Sequence, residues 1–172
     1  MDITVFVDNR LTWQDRTYRC ALGRSGLGAE KIEGDGFTPV GCFDLRRVLY
    51  RPDRIANYGV AKPETRLPIC PLSPNDGWCD NPDHQLYNQP ITRPFGPSHE
   101  ALWRDDALYD IIVIMGYNDD PPVPGAGSAI FLHIAHPGYG PTEGCVTLAV
   151  ADLLEVLASC GPGDRLCVTS DS

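Results

Sequence analysis

The stretch FLHIAHPGYGPTEGCVTLAVADLLEVLASC, residues 131 to 160, decides the fold. An apolar run ends in a histidine-bearing strand, SAIFLHIA. A loop rich in Gly and Pro follows, HPGYGPTEG, because these residues break regular structure. CVTL reads as a third short strand. AVADLLEVLASC then places Val150, Leu153, Leu154 and Leu157 at i, i+3, i+4 and i+7, one apolar face of a helix. Gly161 follows as a helix stop.

Outward from this stretch the chain reads as β. Upstream, LYDIIVIMGY is a buried strand, and downstream DRLCVTS closes the chain as another. At the other end ITVFVD is a short apolar run, and LTWQDRTYRCALG alternates through Leu11, Trp13, Tyr18, Cys20 and Leu22. GCFDLRRVLYR looks like a further strand. Residues 51–105 carry prolines at 52, 63, 68, 71, 74, 82, 90, 94 and 97, too many for regular helices. Trp78, Tyr87, Phe95 and Trp103 give this segment too much aromatic content for a disordered linker. It reads as a long ordered loop insertion, the kind that forms lids and binding walls, with Trp78 and Trp103 as its anchors. The sum is a mainly β, single domain over residues 1–172, with one principal helix near the C-terminus.

The chain has 172 residues, 23 Asp and Glu against 14 Lys and Arg, and a formal net charge of -9. That balance excludes nucleic acid, whose binders neutralise phosphates with basic faces. It also disfavours anionic membrane surfaces. No run reaches the eighteen or so apolar residues of a spanning helix, so no membrane insertion is expected. MDITVFVDNRL lacks the basic and long apolar regions of a signal peptide. Seven cysteines, an odd number, leave at least one thiol unpaired.

His133 and His136 form an HxxH pair with Cys145 nearby in sequence. On a strand, positions i and i+3 face opposite ways, so the pair would diverge as metal ligands. No CxxC spacing supports zinc, and neither metal nor cofactor is expected. Cys145 follows Gly144, which removes bulk and permits torsions other residues avoid. A cysteine there can attack a carbonyl once a base takes its proton. Backbone N–H groups beside it can hold the developing oxyanion, and His133 is placed to be the base. Against this, a cysteine in an apolar strand is commonly a small buried residue. On chemistry alone the two readings stand level.

The order of strand, histidine, Gly/Pro-rich loop, Thr-x-Gly-Cys, apolar strand and helix resembles the YkuD-type L,D-transpeptidases. FLHI around His133, the run Thr142, Glu143, Gly144, Cys145 and VTL, and KIEGDGFTPVGCFDL in the first half carry the likeness. DGWCDNP and SHEALWR are similar to a distinct proteobacterial branch. The resemblance implies a β-sandwich-like catalytic domain that acts on peptidoglycan stem peptides in the periplasm or cell envelope. It implies Cys145 as nucleophile, His133 as general base, Gly144 as the turn residue, and an oxyanion hole from the N–H groups near Gly144 and Cys145. Thr142 matches the family's Ser/Thr and orders the loop. Thr142, Tyr139, His136, Arg93 and Arg104 are expected on the substrate side, the arginines because guanidinium suits carboxylates. The acyl group would pass from a thioester to an amine, making a cross-link. Water as acceptor would make the protein an L,D-carboxypeptidase or amidase-type hydrolase of muropeptides, and loss of catalysis a wall-binding domain. A monomer is expected. Glu143 beside the thiol would raise its pKa unless it points away, and Asp110, Asp119 or a backbone carbonyl could orient His133.

Overall fold

The structure, a computed structural model, describes residues 1–171. Alternation sets the first three strands. β1 (Asp2–Phe6) buries Ile3 and Val5, β2 (Arg10–Trp13) buries Leu11 and Trp13, and β3 (Arg16–Ala21) buries Tyr18 and Cys20. A two-residue period turns one face of each strand to the core. β1, β2 and β3 pair antiparallel in sequence. β4 (Leu27–Gly28) and β5 (Thr38–Pro39) make a short parallel ladder, and the ten-residue β6 (Gly41–Tyr50) follows.

The expected later strands are all present: β11 (Ile111–Met115), β12 (Phe131–Ile134), β13 (Val146–Leu148) and β14 (Arg165–Thr169). Strand order is β11-β12-β13-β3-β2-β1-β14-β6, and β11 also pairs with β6, so the ladder returns on itself. Two strands make the corners. β6 pairs with β14 through residues 41–44 and with β11 through residues 45–50. β3 pairs with β2 through residues 16–19 and with β13 through residues 20–21. Strands that switch sheets in this way join two packed layers at their edges. The fold is therefore the mainly β sandwich the sequence implies.

Its main core lies between the layers and includes Ile3, Leu11, Val48, Ile111, Val113, Leu132, Val146 and Leu166. The helix α1 (Val150–Ser159) buries Leu153, Val156 and Leu157. Its apolar face is rotated from the expected one: Val150 and Leu154 are only half-buried, and Val156 takes the central place.

Residues 51–105 are more regular than the prolines suggest. β7 (Ile69–Pro71) adds to β6, while β8 (Asp76–Cys79), β9 (Pro90–Thr92) and β10 (His99–Ala101) form a small sheet in the order β10-β8-β9. This segment covers the outer face of the β11–β12 layer. Leu72, Trp78 and Leu102 from it pack with Ile112, Ile114, Phe131, Tyr109 and Cys145 in a second core. That is why IIVIM is apolar without alternation: both faces of β11 are covered. Burying each large side chain contributes roughly 1.5–3 kcal/mol, which offsets the entropy of ordering an insertion of this length. As expected, Trp78 is a buried anchor, meeting Phe131 edge-on at 5.1 Å between centroids. Trp103 is covered by the Arg51 guanidinium at 3.6 Å from its ring centroid.

Cys42 on β6 and Cys167 on β14 are register partners and form a disulfide. The other five cysteines are free thiols, Cys145 among them.

Candidate active site

The pleat of β12 divides its side chains between the two cores. Leu132 and Ile134 enter the main core, leaving Phe131 and His133 on the side of the insertion. β13 runs parallel to β12 with Leu132 opposite Val146, so Cys145 sits at the start of the neighbouring strand. The intervening loop is pinned to the end of β3: the Thr142 N–H donates to the Leu22 carbonyl, and the Arg24 N–H to that of Thr142.

Gly144 is required at its position. Its φ of 135° is one that side chains avoid, and a Cβ there would lie 2.7 Å from the Phe37 carbonyl oxygen. Thr142 Oγ1 accepts the Gly144 N–H at 3.1 Å and donates to the Cys145 carbonyl at 2.7 Å. Thr142 thus bridges the two ends of the turn through its hydroxyl. It also bears on one expectation, because the Gly144 N–H expected in the oxyanion hole is already engaged by that hydroxyl.

The Cys145 thiol donates to the Ala129 carbonyl at 3.3 Å and accepts the Phe131 N–H at 3.4 Å. Burial pushes it up to about 12, and the nearby Glu100 adds to that; the Phe131 N–H and the Lys31 charge oppose it. Burial likewise drives His133 down to about 4, partly offset by the carbonyls of Ile134 and Leu108. Both groups are therefore neutral at rest. His133 Nδ1 lies 2.9 Å from the Ile134 carbonyl, which can only accept, so Nδ1 carries the hydrogen. The orienting partner is the backbone. Asp110 is engaged by Tyr58 and Arg54, and Asp119 by Arg46. The Tyr109 ring meets His133 edge-on, with centroids 4.9 Å apart.

Cys145, His133, His136, Thr142 and Arg104 all line one cavity of about 490 Å³. Glu143 lies at its rim and is exposed, with Arg24 Nε donating to both its oxygens at 3.1 and 3.0 Å. Two expected residues are elsewhere. Tyr139 is held by the Arg19 guanidinium, 4.4 Å from its ring centroid, and lines a separate depression beside β3. Arg93 follows β9 and packs its stem near Gly77, outside the Cys145 cavity. His136 is exposed in the loop while His133 is buried, so the HxxH pair does not act as one unit.

The cavity also contains groups that sequence reasoning passed over: Lys31, Glu33, Glu100 and Tyr109. Lys31 had a signal, as one of two lysines in the chain, just upstream of TPVG. Its buried Nζ pairs with Asp35 at 2.7 Å. Glu100 lies within SHEALWR, where nothing local marks a carboxylate as lining the cavity of Cys145.

Residues 2–168 match the L,D-transpeptidase catalytic domain, YkuD, and the chain belongs to that family. The family acts on peptidoglycan and is generally associated with the cell envelope. No curated protein matches the chain. Among solved structures it is similar to the helical cell shape determining protein Pgp2 from Campylobacter jejuni, with a TM-score of 0.43 and 16% identity, over 99% of this chain and 48% of that one. A point mutant of the same protein gives a TM-score of 0.44 and 17% identity, over 99% and 47%. The chain thus spans about half the length of those structures. No helix among the described residues is long and apolar enough to cross a membrane.

Proposed function

We propose that the chain is a cysteine L,D-transpeptidase that cross-links peptidoglycan stem peptides in the cell envelope. The observation that carries this is the meeting of Cys145 and His133 on the wall of one cavity in a chain of this family. Cys145 attacks the carbonyl of the donor stem and its proton passes to His133. The oxyanion is received by the Cys145 N–H. Collapse to a thioester expels the leaving amine, which takes the proton from His133. The amine of a second stem then attacks the thioester, gives a proton to His133, and releases the cross-linked product as the thiol is restored.

Because thiol and imidazole are both neutral at rest, proton transfer accompanies attack rather than preceding it. Thr142 fixes the approach to Cys145, and Arg104, already paired with Asp106, and His136 offer hydrogen bonds on the substrate side. The Cys42–Cys167 disulfide supports placement in an oxidising compartment such as the periplasm. The enzyme acts as a monomer on muropeptides.

The test is mass spectrometry of products from purified disaccharide-tetrapeptides incubated with wild type and Cys145→Ala. Cross-linked dimers from wild type alone support the proposal. Shortened monomers from wild type alone make it a hydrolase, and no change with either protein points to a wall-binding role.

A further inference from the structure

The Gly144 N–H donates to Thr142 Oγ1, so one donor expected at the oxyanion is already in use. The cavity wall holds a cation that the mechanism has not yet used. Lys31 lines the same cavity as Cys145, and its side chain is only 3% exposed. An ammonium has three N–H donors. Among the described residues Nζ makes one hydrogen bond, to Asp35 Oδ1 at 2.7 Å. Two donors are therefore spare on a charge withdrawn from water, where it acts more strongly than at a surface.

The surrounding chain holds this ammonium in place. Asp35 also accepts the N–H groups of Ile32 and Phe37, at 2.6 and 2.9 Å, which fixes the carboxylate in the turn after Lys31. The Lys31 stem passes over Gly127, where φ is 101° and a Cβ would lie 2.9 Å from Cε. Its tip reaches the turn of the nucleophile. A Cβ on Gly144 would lie 3.4 Å from Nζ and 2.7 Å from the Phe37 carbonyl oxygen. A buried ion pair is a poor source of stability, because an apolar side chain of like volume serves as well. Its position against Gly144 gives it a use in the chemistry.

We propose that Lys31 is a catalytic residue that donates to the oxyanion together with the Cys145 N–H. The inference rests on the acyl-transfer reading and deepens it. As the Cys145 sulfur attacks, the C–S bond forms, the thiol proton passes to His133 and the carbonyl π pair moves onto oxygen. A full negative charge then sits beside Gly144. Lys31 gives it a charge-assisted hydrogen bond, keeps its own proton and keeps its bond to Asp35. The π pair returns to the carbonyl as the C–N bond breaks and the leaving amine takes the proton from His133. The bond to Lys31 is stronger with the charged oxygen than with the neutral carbonyl, so it lowers the barrier rather than tightening substrate binding.

The test uses a stem tripeptide aldehyde, whose carbonyl becomes the oxygen of a hemithioacetal on Cys145, and the matching alcohol, which cannot be attacked. Calorimetry measures both dissociation constants for wild type, for Lys31→Met, and for Lys31→Met combined with Asp35→Asn. The combined variant leaves no unpaired carboxylate, and urea unfolding checks that each protein is folded. Wild type should bind the aldehyde about 100-fold or more tightly than the alcohol, as expected of a transition-state analogue. Both variants should lose about tenfold or more of that preference and bind the alcohol as wild type does. With a disaccharide-tetrapeptide donor and a D-amino acid acceptor, kcat should fall about 100-fold, the scale of one oxyanion donor, while KM stays within about twofold.

An undiminished aldehyde preference in either folded variant, wild-type kcat in the combined variant, or a loss confined to KM overturns the role of Lys31 and leaves the transpeptidase proposal standing. No aldehyde preference and no adduct on Cys145 in wild type removes the cysteine mechanism itself, and the role of Lys31 with it.

Discussion

The hydroxyl of Thr142 and the carbonyl of Cys145 are joined by a hydrogen bond of 2.7 Å, and the same oxygen receives the Gly144 N–H. One side chain thus closes the turn that presents the thiol. Thr142→Val keeps the shape and removes both bonds, leaving a carbonyl and an amide without partners. Each such loss costs about 1 kcal/mol or more. Turnover should fall at least tenfold, with Thr142→Ser restoring most of it. Steady-state kinetics of the three proteins check this, and equal rates for Thr142→Val and wild type would remove the role.

Gly144→Ala tests the turn itself. The added methyl meets the Phe37 carbonyl and the φ of 135° is one alanine avoids. The variant should lose about 1–3 kcal/mol in urea unfolding and most of its activity. A variant as stable and active as wild type would show that the backbone here relaxes freely.

The buried imidazole of His133 makes stability depend on pH. Its folded pKa is lowered to about 4 from the usual 6.5, mainly by burial. Between those values the unfolded chain binds a proton that the folded chain does not. Stability contributed by the neutral imidazole is therefore present above pH 6.5 and is lost as pH falls toward 4. The loss amounts to about 3 kcal/mol. Urea unfolding at pH 7 and pH 4 should show this difference reduced in His133→Asn. An equal pH dependence in both proteins would contradict the burial of a neutral ring.

The disulfide between Cys42 and Cys167 closes a loop across a sequence separation of 125. It ties the last strand to β6, so the Cys42→Ala, Cys167→Ala protein should be less stable by about 2–5 kcal/mol. Thermal unfolding of oxidised wild type and the double variant measures it; identical midpoints would mean the strand pairing suffices alone.

Much of this was legible before the fold was known. Alternation through Leu11, Trp13, Tyr18 and Cys20 writes half-buried strands directly, and the Gly-Cys step announces a turn that only glycine enters. Other features were hidden because they depend on distant chain segments. Nothing near Tyr139 shows that Arg19 will hold its ring away from the thiol. Nothing near Glu100 shows that an insertion rich in proline will fold as a small sheet and lay that carboxylate along the cavity. The spacing of prolines excludes helices but says little about three-residue strands. The helix face is shifted, with Val156 fully buried in the main core and Leu154 only half-buried.

The central claim is that the acyl group passes through the sulfur of Cys145. Wild-type protein incubated briefly with a disaccharide-tetrapeptide donor, quenched in acid and mapped by peptide mass spectrometry measures it most directly. The account predicts a donor-derived adduct on the peptide containing Cys145, lost on treatment with hydroxylamine and lost in Cys145→Ala. Product formation with an adduct on another residue, or undiminished product from Cys145→Ala, would contradict it.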